Sequence, residues 1–414
     1  MTKSASTHQP ASNRATRRSW LKSASAALAA PYFVRSYAHG AGPNDRIVMG
    51  AIGMGGQGRG DLQSLLGFDE VQFVTVCDVV DDHAAKAKYL VDQRYRSTDC
   101  QTTSDFYDVT RRDDLDAVLI ATPDHWHALI SIDAMQHGKD VYCEKPECLT
   151  IREGQKMRET AARYGRVFSG GSQRVWEDYN WFHRMIRSGA AGEVRQAWVN
   201  VGEPSGMCLL PPEKTPSGVD WDRWLGPAPW RPFHNSLIQG GFRPFRDYSG
   251  GGMTDWGCHT FGGAMFALEL HRTGPTEVVP PAGPDRPHLT FRFENGVEIF
   301  HGGGDGLLSF VGTGGRLSER IRAEQKLEPP PIHIPNYHGQ RGIFGDFIHC
   351  VRTREEPFRN IEVALRTATL CHLGNIAYWL NRPLRWDPIG EQIVGDAEAA
   401  RWLDRPRREP WNLI

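Results

Sequence analysis

What the chain has little of narrows its class first. Of 414 residues, 48 are Lys or Arg and 49 are Asp or Glu, a formal net charge of −1. With neither sign in excess, there is no general attraction to nucleic acid or to an anionic membrane surface. Long apolar runs are missing too. The weakly apolar segment from Ala24 to Val34 is too short to cross a bilayer, so no stable membrane span is expected. The eight cysteines (77, 100, 143, 148, 208, 258, 350 and 371) show neither zinc spacing nor a dense disulfide framework, and no metal site is expected. Several lie inside apolar runs, where a free thiol acts as a small hydrophobe. No repeat of fixed period is present. At this length two domains with separate cores are affordable.

What is there begins with an address. Thr16-Arg17-Arg18-Ser19-Trp20-Leu21-Lys22 precedes the Ala24–Val34 segment, and Ser36-Tyr37-Ala38 offers small residues for a signal peptidase. The stretch is similar to a twin-arginine export signal, which the export machinery reads through its paired arginines. Residues 1–38 are assigned to it, with the protein delivered to the periplasm or an equivalent exported location. A disordered basic tail is the alternative. Twin-arginine export carries folded proteins, which suits an enzyme that takes its cofactor along.

The apolar run Arg46 to Ile52 ends in Gly53-Met54-Gly55-Gly56-Gln57-Gly58, a G-x-G-x-x-G pattern before a helix carrying Leu62, Leu65 and Leu66. Gly53 permits the tight turn, Gly55 lets backbone approach a pyrophosphate, and Gly58 lets helix and strand pack closely. The helix start adds free N–H groups and a positive dipole end. A second apolar run, Val71 to Cys77, ends in Asp78, twenty residues past Gly58, where an acid binds an adenosine ribose. No arginine follows Asp78 directly, so a 2′-phosphate would meet a carboxylate, and NAD is favoured over NADP. The alternation goes on: a strand from Asp116 to Ala121 runs into Thr122-Pro123-Asp124-His125-Trp126-His127, and a helix follows to Gln136. A buried strand from Asp140 to Cys143 then runs into Glu144-Lys145-Pro146. Thr150 and Glu153 make a capping box for the next helix, and Val167 to Ser169 would be the last strand. Strands alternating with helices predict a doubly wound parallel sheet, whose carboxyl-end edge binds ligands. Lys145 sits at that edge, where burial or a neighbouring cation can lower its pKa toward neutrality. A lysine that merely caps a strand end is the bland alternative.

From Gln173 the pattern changes. A helix is expected over Asp178 to Ser188, then strands at Glu193 to Val201, His288 to Phe293, Val297 to His301 and Leu307 to Val311, and helix from Ile343 to Trp379. This predicts an α+β domain, 173–414, with a large, mostly antiparallel sheet behind a Rossmann domain at 44–172. Gly250-Gly251-Gly252-Met253-Thr254-Asp255-Trp256-Gly257-Cys258-His259 puts Asp255 and His259 four apart, on one helix face. A surface i,i+4 pair is the alternative. The span from Pro204 to Tyr248 is rich in Pro and Trp. Trp221, Trp224, Arg243, Arg246 and Tyr248, with Trp126, are candidates for stacking on and hydrogen-bonding a sugar; a loop packed on its own aromatics would use the same residues.

The glycine fingerprint, ATPDHWH and GKDVYCEKP together resemble the glucose–fructose oxidoreductase / inositol dehydrogenase / rhizopine catabolism (Gfo/Idh/MocA) family. The resemblance covers nearly the whole chain after the export signal. It implies that Lys145 stands beside the nicotinamide and that Thr122 and Pro123 line the cofactor, with Glu144 and His127 close by. It also implies that Asp255 and His259 stand over the substrate, that the Lys145–Pro146 peptide is cis, and that subunits pair through the second sheet as a dimer or tetramer. Compact members of the family have a shorter connection at 204–248, so this insertion is expected to set substrate choice. Glu147 departs from the family, where many members carry an apolar residue.

The activity implied is hydride transfer to tightly held NAD from a secondary alcohol of a sugar, cyclitol or glycoside. His259, with an ordinary pKa near neutrality, would take the hydroxyl proton. Lys145 would stabilise the alkoxide and Asp255 would orient the two. A redox-neutral glycoside hydrolase, acting by transient oxidation and elimination, is the second reading. A non-catalytic NAD-binding sensor is the third.

Overall fold

The structure is a computed structural model and describes residues 45–413 except 327, 330, 332, 333, 335, 336 and 340. The paired arginines and the expected cleavage site therefore lie outside the described residues. Six strands form the first sheet: β1 (Ile47–Ile52), β2 (Val71–Cys77), β3 (Gln101–Thr103), β4 (Ala117–Ile120), β5 (Asp140–Cys143) and β6 (Phe168–Gly170). Their order is β3-β2-β1-β4-β5-β6, and every pairing is parallel. The order reverses direction beside β1, so the crevice opens between the ends of β1 and β4. β4 and β5 are buried at every position, as sheet interiors covered on both faces require. Thr150 and Glu153 form the expected capping box at the start of the helix Ile151–Tyr164. The Lys145–Pro146 peptide is cis.

Eight strands form the second sheet: β7 (Val194–Val199), β8 (Glu277–Val279), β9 (Leu289–Arg292), β10 (Glu298–His301), β11 (Leu308–Gly312), β12 (Gly315–Ser318), β13 (Leu384–Asp387) and β14 (Gln392–Ile393). The order is β12-β11-β7-β10-β9-β8-β13-β14, antiparallel except where β10 meets β7. The predicted fold class is therefore the observed one.

One local expectation changes. The helix expected from Ile343 to Trp379 is two helices, Gly342–Thr353 and Ile361–Leu380, because the chain turns left-handed at Arg354 (φ 65°). The first of them packs Ile343, Phe347, Ile348 and Val351 into the core of the parallel sheet with Met49, Phe73 and Leu119. A segment far along the second half of the chain thus completes the first core. Arg354 also reaches back to ion-pair with Asp140 at the start of β5. Among the described residues no helix is long and apolar enough to cross a membrane.

Candidate active site

The carboxyl ends of β1, β2, β4 and β5 open into a cavity of about 410 Å³. Gly53 makes the first turn at φ 83°, and a Cβ there would stand 2.4 Å from the Thr122 nitrogen. Gly58 is packed so tightly that a Cβ would sit 2.0 Å from the Gly53 carbonyl oxygen. At Gly55 and Gly56, by contrast, a Cβ would meet nothing within 4 Å, and both residues line the cavity. The turn is therefore closed on its sheet side and bare on its ligand side, a cradle that suits a pyrophosphate at a helix start. Gln57 lines the cavity beside it, whereas Met54 is fully buried in the core.

Asp78 stands at the end of β2 on the cavity wall. Its Oδ2 accepts from the Met54 N–H (2.6 Å) and its Oδ1 from the Val80 N–H (2.8 Å), with His83 Nδ1 3.4 Å away. These bonds fix a carboxylate next to the glycine turn. Arg59 and Arg223 line the same end; Arg59 donates to the Met54 carbonyl (2.6 Å), and Arg223 to Ser104 and Asp105. Neither arginine was singled out from the sequence, although Arg59 lies one residue beyond the fingerprint. Open glycine backbone beside a fixed acid fits a dinucleotide of the NAD(P) class.

At the other end, Lys145 Nζ donates to Asp255 Oδ1 at 2.5 Å, and Arg243 Nε lies 3.3 Å from Asp255 Oδ2. All three line the cavity with Thr122, Pro123, Asp124, His127 and Glu144. Burial pulls the Lys145 pKa down, but Asp255 and Glu144 outweigh it and the net shift is upward. The expectation of a depressed lysine is thus reversed, because an acid is fixed against it. Burial would raise Asp255; Lys145 and then Arg243 outweigh that and hold it below the usual carboxylate range. This part of the site is a half-buried ion pair with both partners held in their charged forms.

His259 is different from its expected state. It is buried, and it does not line the cavity with Lys145 and Asp255. Burial, with Lys145, Arg174 and Arg359 around it, pushes its pKa down to about 2 rather than leaving it near neutrality. Its Nδ1 lies 2.9 Å from Ser172 Oγ, whose own hydroxyl donates to the Cys258 carbonyl at 3.2 Å. Ser172 therefore accepts from Nδ1–H, which leaves the lone pair on Nε2. His259 has the tautomer of a proton acceptor and little basicity.

His127 joins two of the strand-end loops. Its Nδ1 faces the Pro146 carbonyl and its Nε2 the Thr122 carbonyl, both at 2.8 Å. Burial pushes its pKa down to about 4 against the pull of both carbonyls, and as a neutral ring it donates to one of them while lying against the other, between the β4 and β5 ends. His125 does more than cap a turn: its Nε2 and Trp126 Nε1 both donate to the Trp224 carbonyl, at 2.9 and 3.0 Å, fastening the 204–248 insertion to the parallel-sheet half.

Several acids near the cavity are raised by burial. Asp124 is buried and pushed up to about 7 by burial, which Asp255 reinforces. Asp61, on the first helix, is likewise raised to about 7 by burial, with Gln57 and Lys145 opposing. Glu144 is raised by burial and by Asp61. Glu147 is fully buried, raised to about 7 by burial, and faces the equally buried Arg359. That partner accounts for a charged residue where many family members have an apolar one.

The insertion corrects three candidates. Trp221 stacks on Trp224 (4.8 Å between centroids), meets Phe233 edge-on, and donates to the Arg231 carbonyl. Tyr248 is fully buried, edge-on to Trp224. Arg246 lies over the rings of Trp379 and Trp402. None of these three lines the cavity; Trp126, Trp224 and Arg243 do. Arg243 is presented by the turn Leu237–Gly241, where its Nη1 donates to the carbonyl of Gly240 (φ 92°). Gly226 (φ 48°) lies so close over Trp126 that a Cβ would come within 2.0 Å of the ring. From the far end of the chain, Trp411 also reaches the cavity wall, edge-on to Trp126 at 4.8 Å.

A Rossmann sheet, an open glycine turn, a carboxylate at the end of β2 and a strand-end lysine are the features of a nucleotide-dependent oxidoreductase. The NAD-binding Rossmann domain of the Gfo/Idh/MocA oxidoreductase family matches residues 47–172, and that family's C-terminal alpha/beta domain matches 193–413. The chain belongs to this family. Among curated proteins, a glycosyl hydrolase family 109 protein from Solibacter usitatus is 32% identical over 124 residues, 29% of this chain and 28% of the relative. An alpha-N-acetylgalactosaminidase from Shewanella oneidensis is 31% identical over 161 residues, 36% of this chain and 33% of the relative. The matched stretches thus span about a third of those proteins. Among solved structures, myo-inositol 2-dehydrogenase from Lactobacillus plantarum aligns over 82% of this chain and 99% of its own, with TM-score 0.57 and 16% identity. A levoglucosan dehydrogenase in complex with NADH and levoglucosan aligns over 82% and 99%, with TM-score 0.55 and 16% identity. At these identities the structures share the fold.

Proposed function

We propose that this protein is an exported, NAD-dependent enzyme that removes a hydride from a secondary alcohol of a sugar, cyclitol or glycoside. The observation that carries the reading is the Lys145–Asp255 pair, 2.5 Å apart, in the same cavity as the open glycine turn and Asp78. The backbone of Gly55 and Gly56 would hold the pyrophosphate, Asp78 the ribose hydroxyls of NAD rather than a 2′-phosphate, and Thr122, Pro123, Glu144 and His127 the nicotinamide end. When bound, the nicotinamide accepts the hydride. Lys145, kept charged by Asp255, donates a hydrogen bond to the alcohol oxygen and stabilises it as it becomes an alkoxide. His259 keeps its Nε2 lone pair, with Ser172 holding the tautomer. It lies off the cavity with a pKa of about 2, so it takes the hydroxyl proton only where the bound substrate opens a path to it. Arg243 and Trp224 contact the sugar. Tight NAD retention, export through residues 1–38 and self-assembly through the second sheet belong to the same proposal.

A second reading has its own support. The curated relatives are named as glycoside hydrolases, and Asp124 supplies a cavity carboxyl that keeps its proton up to about pH 7. Transient oxidation acidifies the neighbouring C–H, whose proton passes to a base as the glycosidic bond breaks by elimination. Asp124 protonates the leaving oxygen, water adds across the new double bond with a proton returned to that carbon, and the hydride then reduces the ketone. One assay separates the readings: purified protein on a glycoside panel, with NADH absorbance and released aglycone followed together. NADH alone supports the dehydrogenase, aglycone without net NADH the redox-neutral hydrolase, and neither product with any glycoside returns the sensor. Export is tested by replacing Arg17 and Arg18 with Lys, which should leave folded protein in the cytoplasm, while wild type appears outside with about one NAD per subunit after gel filtration. Exported protein empty of cofactor yet active with added NAD would overturn the retention claim.

A further inference from the structure

Away from the cavity, three side chains converge around the helix Gly342–Thr353. His349 lies on the helix itself, His338 on the approach to it, and Glu355 just past its end. His338 Nε2 is 2.9 Å and His349 Nε2 3.4 Å from the same Glu355 oxygen, Oε2. The two imidazoles stack, 4.4 Å between centroids and 22° between planes, and both Nε2 atoms approach the same Glu355 oxygen. One donor atom from each residue lies within 4.8 Å of the others.

The surroundings hold this arrangement in place. The left-handed turn at Arg354 brings Glu355 back alongside the helix. Asp346 is fully buried: its Oδ1 accepts from the His338 N–H (2.8 Å), and its Oδ2 from the Phe358 N–H (2.7 Å). One carboxylate thus anchors the segments on both sides of the helix, the one bearing His338 and the one following Glu355. Tyr337 stacks on Trp176 at 4.1 Å, fixing the first of them again. All three donors remain partly open to solvent, so an ion can enter and keep a water ligand.

We propose that His338, His349 and Glu355 bind a divalent transition-metal ion, zinc foremost. Two imidazoles and one carboxylate are a ligand set that zinc accepts, with water in the fourth position. Tetrahedral zinc with bonds of about 2.0–2.1 Å sets its ligand atoms roughly 3.4 Å apart, so the donors need only small side-chain rotations to enclose it. The ion clips the segment before the helix to the segment after it. None of the three residues belongs to the cavity at the strand ends, so the site is independent of the proposed reaction.

The test uses the untagged full chain, stripped with a chelator and titrated with Zn²⁺ against a chromophoric competitor, with Co²⁺ as a spectroscopic probe. Expected are one ion per chain, an intense tetrahedral Co²⁺ spectrum, and a zinc-dependent rise in Tm. His349→Ala and Glu355→Gln should each weaken binding at least tenfold and abolish the Tm rise, with NAD binding unchanged. The residues are partly exposed, so the variants should fold; unchanged far-UV circular dichroism checks this. Zinc binding that is the same in wild type and in the double variant His338→Ala/His349→Ala would overturn the proposal. So would an octahedral Co²⁺ spectrum, or binding of less than one ion per chain at high micromolar zinc.

Discussion

The strand-end loops of the parallel sheet and the 204–248 insertion meet across one cavity, yet they use their residues in opposite ways. In the loops, glycine, proline and charged side chains leave backbone bare and place Asp78 and Lys145 at the opening. In the insertion, tryptophan and tyrosine that look suited to a sugar are mostly filling space: Trp221 and Tyr248 are core, and Arg246 covers two tryptophans. Of the sugar-binding candidates in the insertion, Trp224 and Arg243 reach the cavity, alongside Arg223 and the turn from Leu237 to Gly240. A motif with fixed spacing names positions, whereas composition names only materials. An aromatic-rich loop has to bury most of its rings before any can face a ligand.

Substitutions that separate chemistry from packing put this comparison at risk. The largest effect is expected at Lys145→Ala, with turnover falling by about 10²-fold or more while NAD still binds. Turnover close to wild type in single-turnover assays would remove Lys145 from the reaction. Next comes Trp221→Ala, expected to lower stability by about 3 kcal/mol, as loss of a buried aromatic does, with KM little changed. A raised KM at unchanged urea midpoint would move Trp221 back among the sugar contacts.

The buried acids give a pH dependence of definite sign. Asp124 has a folded-state pKa near 7 against an ordinary value of 3.8. Its stabilising contribution is complete below the ordinary value and erodes as pH rises, by about 1.4 kcal/mol per unit at most. The loss is complete above about pH 7. Asp124→Asn cannot ionise, so its stability relative to wild type should climb from pH 5 to 7 and then level off. Urea midpoints at four pH values measure this, and a constant difference would show that Asp124 is ionised throughout. Asp78→Ala should weaken NAD binding by about tenfold, roughly 1.4 kcal/mol, and relax discrimination against NADP. Equal titrations of wild type and variant with both cofactors would shift the ribose contact elsewhere. The smallest effect belongs to Arg246→Ala, which should cost about 1 kcal/mol of stability or less and leave KM alone. A several-fold rise in KM would restore Arg246 to the substrate wall.

How much the sequence discloses follows from the same contrast. The β1 and β2 ends, the capping box at Thr150 and the strand into Lys145 all carry local patterns and lie where those patterns put them. Strands β3 and β14, three and two residues long, have no periodicity of their own and exist through pairing with a neighbour. The helix break at Arg354 is equally silent, because arginine gives no hint of a left-handed turn. Asp61 in GQGRGD lies in a local pattern of glycine and polar residues, and only tertiary packing buries it. His259 shows the same limit at the site itself: its spacing from Asp255 was legible, but its tautomer and depressed pKa depend on Ser172 and Arg359, distant in sequence.

Gly226 carries a consequence of another kind. The insertion is fastened to the parallel-sheet half by two hydrogen bonds on the Trp224 carbonyl, and Gly226 permits that approach because it has no side chain to strike Trp126. This part of the tether uses main chain on the insertion's side, whereas Arg223 reaches across by its side chain to Ser104 and Asp105. Lys145, Asp255 and His259 lie on other segments altogether. If the proposed reaction holds, side chains in 204–248 could change what is bound while Lys145, Asp255 and His259 stay in place, so long as Gly226 is kept.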